Sequence, residues 1–417
     1  MNRGKCFASR AAGGGMIFGL LTLASSLWGA NWTNTTPLPD GYGGHALVYS
    51  SNFLYHLGGA SDLNGYPDGT NVFYAQVSSN GTIGAWKSAT PLPDAVINHC
   101  AVTANGFVYV IGGLHGNNNV GLFIANVVYY AKINSDGSLG SWLTANPLPQ
   151  VREFSSASVW NSTIYLIGGS DGNSLTNTIY SAKIQTNGSL STWASQIVSP
   201  QIIFTQAGAA NGFIYLLGGA PGDGTQVQTN VYYSKINSDG TLGGWNQTTP
   251  LLQQNGSFGA VATGGRIFTM GGWNGASPIN EFNSVAVAGD GSLGQWSAGT
   301  SLPQSRSNPG VAVSDSYIFV SGGYDTVQAQ PTVYSMPLPA APGAPSLTRS
   351  NFVNGSFQLR LASAQTNCGF GLLASTNLTT WTNIAWGFTG TNGLLTFQDT
   401  NASKFPKRFY KAYWPLP

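Results

Sequence analysis

The sequence predicts an all-β protein: six four-stranded antiparallel sheets set radially in a ring, followed by a small β module. Three observations carry that expectation. Gly-Gly recurs six times, at Gly58-Gly59, Gly112-Gly113, Gly168-Gly169, Gly218-Gly219, Gly271-Gly272 and Gly322-Gly323. A tryptophan recurs with it, at Trp32, Trp86, Trp142, Trp193, Trp245 and Trp296, at spacings of 54, 56, 51, 52 and 51 residues. Between these landmarks each copy repeats two short apolar runs and a Tyr-rich run, most with an Asn/Asp-Gly turn after it. A repeat of this length shares its core with its neighbours, so the copies form an array.

The second copy shows the elements in order. Cys100–Thr103 reads as a first strand, and Asn105-Gly106 turns the chain into a second, Phe107–Ile111. Asn-Gly between apolar runs is the strongest short-range hairpin signal, because both residues accept positive φ. Gly112-Gly113 ends the second strand where backbones crowd. A polar loop leads to a third strand, Val127–Ile133, and Asp136-Gly137 turns into a fourth that ends at Trp142. Pro147 and Pro149 then stop the sheet. Four short strands per copy, arranged radially, make a β-propeller.

The ends predict how the ring closes. The sixth copy stops after its third strand, Thr332–Ser335, with neither the Asp-Gly turn nor a Trp. Ahead of the first copy stands an orphan strand, Asn31–Thr35. An unpaired edge invites aggregation, so the Trp32 strand is expected to complete the sixth sheet. The propeller thus spans 31–339. Met336–Pro345 reads as a stiff Pro/Ala connection with its linker at 340–345, and 346–417, with alternating runs such as Phe357–Leu361, reads as a small β-sandwich.

Residues 1–30 are expected to lie outside the fold. Arg3, Lys5 and Arg10 precede an apolar stretch, Met16–Ala24, and small residues up to Ala30, the pattern of a secretory signal peptide. An uncleaved anchor is the other reading of the same segment. Cleavage after Ser26 or Ala30 leaves 13 basic and 14 acidic residues of the chain's 16 and 14, a net charge of −1. The protein is therefore expected to be secreted, periplasmic or on the cell surface, without a stable membrane span, and a monomer. No basic stripe is present, which argues against nucleic acid as a partner. Cys100 and Cys368 fall in different predicted domains and read as buried small residues rather than a disulfide framework.

The run from Phe107 to Gly113, its counterpart from Ile164 to Gly169, the Tyr-rich third strand and the fourth-strand Trp together resemble the kelch-type propellers. The fifth copy departs from the pattern, with Phe268 in the Tyr position. The resemblance implies a ligand face built from the loops between second and third strands and between successive blades.

Aligning the copies on the first Gly of each pair separates what all share from what few carry. Sixteen residues before it stand Tyr42, Val96, Arg152, Ile202, Asn255 and Arg306. Leu148–Arg152 and Leu302–Arg306 match the family's Leu-Pro-x-x-Arg pattern, so two guanidiniums are candidates to grip a carboxylate or sugar hydroxyls. The alternative is that each braces its turn. His45 and His99 occupy equivalent sites, thirteen residues before their Gly pairs, and His115 follows its own pair. Converging imidazoles would suit zinc or copper, while packing at strand entrances is the other reading. His56 stands where other copies have Val110, Leu166 and Leu216 and reads as core. Glu153 beside Arg152 is the best lone carboxylate for acid/base work. Trp273 and Tyr324 would stack on a sugar or a peptide.

Resemblance to galactose oxidase, a kelch propeller with a copper site of two Tyr and two His, implies little here, since Tyr55-His56 lies inside a second strand. The Asp-Gly turns at Asp136, Asp239 and Asp290, matched by Asn80 and Asn187, read as hairpin turns rather than calcium ligands. Two functions remain in view. One is a non-catalytic propeller binding a glycan or protein at the channel mouth with Tyr42, His45, His99, His115, Arg152, Glu153, Trp273, Arg306 and Tyr324, without a cofactor. The other is a carbohydrate-active enzyme of the sialate mutarotase or epimerase type, in which Glu153 moves a proton while Arg152 and Arg306 hold an acidic sugar.

Overall fold

The computed structural model describes residues 30–417 apart from 62–66, 68, 118–120, 198–201, 222–225, 339–345, 354–355, 363–368, 377–381, 391, 406–407 and 414–417. The segment up to residue 29 that reads as a signal peptide, the expected linker and Cys368 therefore lie outside the described residues. Six four-stranded antiparallel sheets follow one another. Blade 1 orders Ala46–Ser50, Phe53–Leu57, Val72–Gln76 and Lys87–Ser88 from first strand to fourth. Blade 2 does the same with Cys100–Ala104, Phe107–Ile111, Val128–Lys132 and Leu143–Thr144. The first strands of successive blades touch, and that of blade 6, Gly310–Val313, returns to that of blade 1. They line the axis of a closed ring.

Closure is as expected. Thr33–Thr35 pairs antiparallel with Val333–Pro337, placing Asn34 opposite Tyr334, so the chain's beginning supplies the outer strand of blade 6. Trp32 behaves as the sixth Trp of the ring: its indole N–H donates to Thr300 O at 2.8 Å. Trp86, Trp142, Trp193 and Trp296 donate likewise to Thr36, Thr90, Asn146 and Thr249, each on the turn leading into its own blade. In most blades the fourth-strand ladder begins just after the Trp instead of ending at it, as Lys87–Ser88 and Leu143–Thr144 show.

The other shared residues also join blade to blade. The second-strand hydroxyls of Tyr55, Tyr109, Tyr165 and Tyr215 donate to Gly137, Gly188, Gly240 and Gly291, the turn glycines of the following blade. The second Gly of five of the six pairs reaches the next blade too: Gly59, Gly113, Gly219, Gly272 and Gly323 donate to the carbonyls of Val96, Arg152, Asn255, Arg306 and Tyr42. The first Gly lies against the same carbonyl, and that approach excludes a side chain. A Cβ on Gly112, whose φ is +59°, would stand 2.5 Å from Arg152 O.

The Asp-Gly turns are hairpin turns. Asp136 accepts from the Ser138 hydroxyl and N–H, which hold its exposed carboxyl below the usual range, and Asp239 and Asp290 repeat the arrangement.

Beyond the ring, Ser346–Val353, Ser356–Ala362 and Leu394–Asp399 form one three-stranded sheet, and Gly369–Ser375, Thr382–Phe388 and Phe409–Tyr413 another. Leu359, Leu361 and Phe397 of the first share a core with Phe370 and Leu372 of the second, making the expected small β-sandwich.

Candidate functional site

Each first strand is entered by a residue fourteen positions before its Gly pair: Gly44, Asn98, Phe154, Phe204, Ser257 and Asn308. All six have positive φ, between +48° and +63°. Their backbones form a ring around the axis: Asn98 N donates to Gly44 O, Phe154 N to Asn98 O, Ser257 N to Phe204 O, and Asn308 N to Ser257 O, at 2.7–3.1 Å. The left-handed conformation is what this ring requires of its members. Glycine meets it freely and Asn at small cost, whereas bulky residues pay roughly 1–2 kcal/mol.

Inside the ring lies a pocket of about 100 Å³. Its walls are those six residues, the next residue of each blade (His45, His99, Ser155, Thr205, Phe258 and Pro309) and Gln206. Phe154 and Phe204 meet edge to face with ring centroids 4.7 Å apart. His45 and His99 are buried, and burial pushes both imidazoles down to about 3, so they are neutral at neutral pH. His45 Nε2 is 2.9 Å from Ser321 Oγ across the closure seam. His99 is 8% exposed, and neither ring nitrogen has a hydrogen-bond partner among the described residues.

The arginines are not in this pocket. Arg152 is buried: its guanidinium donates to Val151 O, Gln150 Oε1 and the Tyr180 hydroxyl, and lies over the Tyr180 ring at 5.0 Å. Arg306 is fully buried, donates to Gly322 O, Gln304 Oε1 and Thr332 Oγ1, and lies over Tyr334 at 4.6 Å. Both donate inward, to their own blades, because the position sits beneath the third-strand aromatic. Tyr42 fills the same place in blade 1, packed against His56 and Phe73 and accepting from Asn71 at its hydroxyl. These three residues brace their blades, the second of the two readings given for the arginines, and none of them lines the pocket. Glu153 is half-buried, which raises its carboxyl above the usual range, and it forms no ion pair with Arg152. The Arg152–Glu153–Arg306 constellation therefore does not assemble.

His115 belongs to an unexpected element. The loop read as polar after Gly113 forms a hairpin, Leu114–Asn117 with Gly121–Ile124, which extends Val96–Ile97 into a three-stranded sheet beside the mouth. The apolar run Leu122-Phe123-Ile124 is the signal for it. His115 is buried under this sheet, against Phe123 and Tyr129, with Nε2 3.1 Å from Gly112 O and Nδ1 3.6 Å from Asp94 Oδ2. His45, His99 and His115 do not form a metal centre: among the described residues no three His, Cys, Asp or Glu are placed to hold an ion.

Outside the lining, loops of blades 2 and 5 expose large apolar side chains. Phe123 is 53% exposed and Trp273 37%. Trp273 bridges to Gly256 and Tyr324 to Ser307, the same two-residue pairing in blades 5 and 6. Tyr324 is half-buried against Gly43 of blade 1.

No family model matches the chain. It is similar to Kelch-like protein 36 of Rattus norvegicus, 25% identical over 243 residues that cover 57% of this chain and 38% of that protein. It is similar to Beta-scruin of Limulus polyphemus, 24% identical over 153 residues, 35% of this chain and 16% of that one. The chain thus spans well under half the length of these relatives. The solved structure of YjhT superposes with a TM-score of 0.57 at 14% identity, covering 72% of this chain and 95% of that chain, a likeness of fold. The ring has the kelch-type propeller fold.

The mouth residues of this kelch ring that sequence reasoning missed are Asn98, Phe154, Phe204, Ser257 and Asn308. Their signal was positional: six-fold alignment at that site shows Gly, Asn and Ser beside two phenylalanines, an odd pair where left-handed backbone is needed.

Proposed function

We propose that the protein is a binding propeller that takes a glycan or protein ligand over the channel mouth and does no chemistry on it. The observation that carries this reading is the pocket itself: a concave site at the ring axis whose lining contains no carboxylate, lysine or arginine. General acid/base catalysis works best with groups that titrate near the working pH, and burial pushes His45 and His99 down to about 3. The exposed Phe123 and Trp273, on loops that follow the Gly pairs of blades 2 and 5, suit a partner that reaches beyond the pocket. Among the described residues no helix is long and apolar enough to cross a membrane. With the leader-like residues 1–30, a location outside the cytoplasm is part of the proposal.

A combined glycan and peptide array probed with the purified protein tests it. Retention of at least one class, weakened tenfold or more by Phe154→Ala with Phe204→Ala, is the expected result. Arg306→Ala is the control: it loses a buried hydrogen-bonded cation and should cost on the order of 2–4 kcal/mol of stability, while the fraction that remains folded binds as before. Turnover of a neutral or acidic sugar anomer, abolished by Glu153→Gln, would overturn the reading in favour of an enzyme.

A further inference from the structure

Two features of the pocket narrow its ligand further, on the footing that the mouth is a binding site. The first is the phenylalanine pair. Phe154 and Phe204 hold φ of +52° and +53°, at a position where Gly44, Asn98 and Asn308 show which residues the ring accepts cheaply. Their side chains are half-buried against each other and line the pocket. Strain retained at a ligand-accessible position is the mark of a functional residue. The second is the polar complement: Asn98, Asn308, Ser257 and Gln206 surround the pair, and His99 brings two unpaired buried nitrogens.

We infer that the pocket binds one uncharged polyhydroxylated ring, a neutral hexose unit at the end of a glycan, with Phe154 and Phe204 as its apolar platform. Each alternative ligand meets a physical obstacle. A carboxylate or ammonium group would be desolvated with no opposite charge in the lining. An aliphatic tip would leave the amides, the hydroxyls and His99 unpaired, at about 1–3 kcal/mol for each buried group. The volume, about 100 Å³, is well below that of sites for drug-sized ligands, so the occupant is the end of a chain seated by one face and not a whole oligosaccharide. A sugar ring presents an apolar face to the phenylalanines and hydroxyls that both donate and accept to the amides and to neutral imidazole.

The test uses the full chain and the single variants Phe204→Asn and Phe154→Asn. Neutral hexoses and their glycans should be retained in preference to sialic acid, galacturonic acid and peptides. Calorimetric titration with the best-retained neutral monosaccharide should show the dissociation constant rising at least tenfold in each variant. The melting temperature should change little, since Asn relieves the left-handed strain while giving up the contact between the two rings. Preference for acidic sugars or for peptides overturns the neutral-ring inference and leaves the binding-propeller reading standing. Silence on glycans and peptides alike overturns both. A lower melting temperature with unchanged sugar affinity would make the phenylalanines structural and also overturn the inference.

Discussion

At the scale of the residue, the second-strand aromatics show how one hydroxyl is kept or dropped according to what lies across the seam. Tyr55, Tyr109, Tyr165 and Tyr215 each reach a turn glycine of the next blade. Phe268 occupies that position in blade 5, and the next blade has no such turn, because its third and fourth strands come from opposite ends of the propeller. Phe319 of blade 6 is different: beyond it stands the Asn80-Gly81 turn, with Gly81 packed on Tyr317 as Gly137 packs on Phe53. Phe268→Tyr should therefore bury an unpaired hydroxyl and cost about 1–3 kcal/mol. Phe319→Tyr should be neutral or stabilise by about 1 kcal/mol, like the hydrogen bonds it copies. Paired urea melts decide it, and equal losses in the two variants would refute the seam argument. Residues repeated for the fold were legible in the sequence because repetition exposes them. For Arg152 and Arg306 the sequence left brace and ligand grip both open, since a charged side chain at a loop position reads as exposed until the aromatic covering it is seen.

At the scale of the element, the closing strand does more than its three paired residues suggest. Trp32 is 9% exposed, packs edge-on to Phe282 at 5.5 Å and binds Thr300 O, tying blade 6 to blade 5. On the other side, Thr35 Oγ1 accepts from Ile83 N at 3.0 Å and ties the strand to blade 1. Trp32→Ala removes a large buried side chain, a change that costs about 3–5 kcal/mol. Deleting residues 31–36 removes that and the whole edge as well. The deletion should lower the melting temperature by on the order of 10 °C, taking a few degrees per kcal/mol for a domain of this size, and should promote association through the exposed edge of Val333–Pro337. Scanning calorimetry with light scattering reads both; an unchanged melt means that the ring does not depend on this closure. The strand was legible because the sixth copy visibly lacked its fourth strand. The blade-2 hairpin was not, since its glycines and asparagines masked a short apolar run.

At the scale of the whole molecule, the histidines make the ring sensitive to acid. His45, His56 and His99 all stand in the inner part of blades 1 and 2, with the His45 and His56 rings 4.5 Å apart. Burial lowers His45 and His99 to about 3 and His56 well below its ordinary 6.5, and the neighbouring imidazole of His45 lowers His56 further. The unfolded chain takes up a proton at each site as the pH falls through about 6.5, while the folded ring refuses it. Stability is thus undiminished above that pH and declines below it, by about 1.4 kcal/mol per pH unit for each histidine until its folded pKa is reached. The repeat supplies the variant that tests this, because blades 3 and 4 carry Leu166 and Leu216 where blade 1 carries His56. His56→Leu should stabilise the protein by about 2 kcal/mol more at pH 5 than at pH 8. It leaves the pocket lining untouched, since His45 and His99 face the mouth and His56 does not. Denaturant melts of both proteins at the two pH values measure the difference directly. An equal gain at both would mean that His56 is protonated in the folded ring, against its burial.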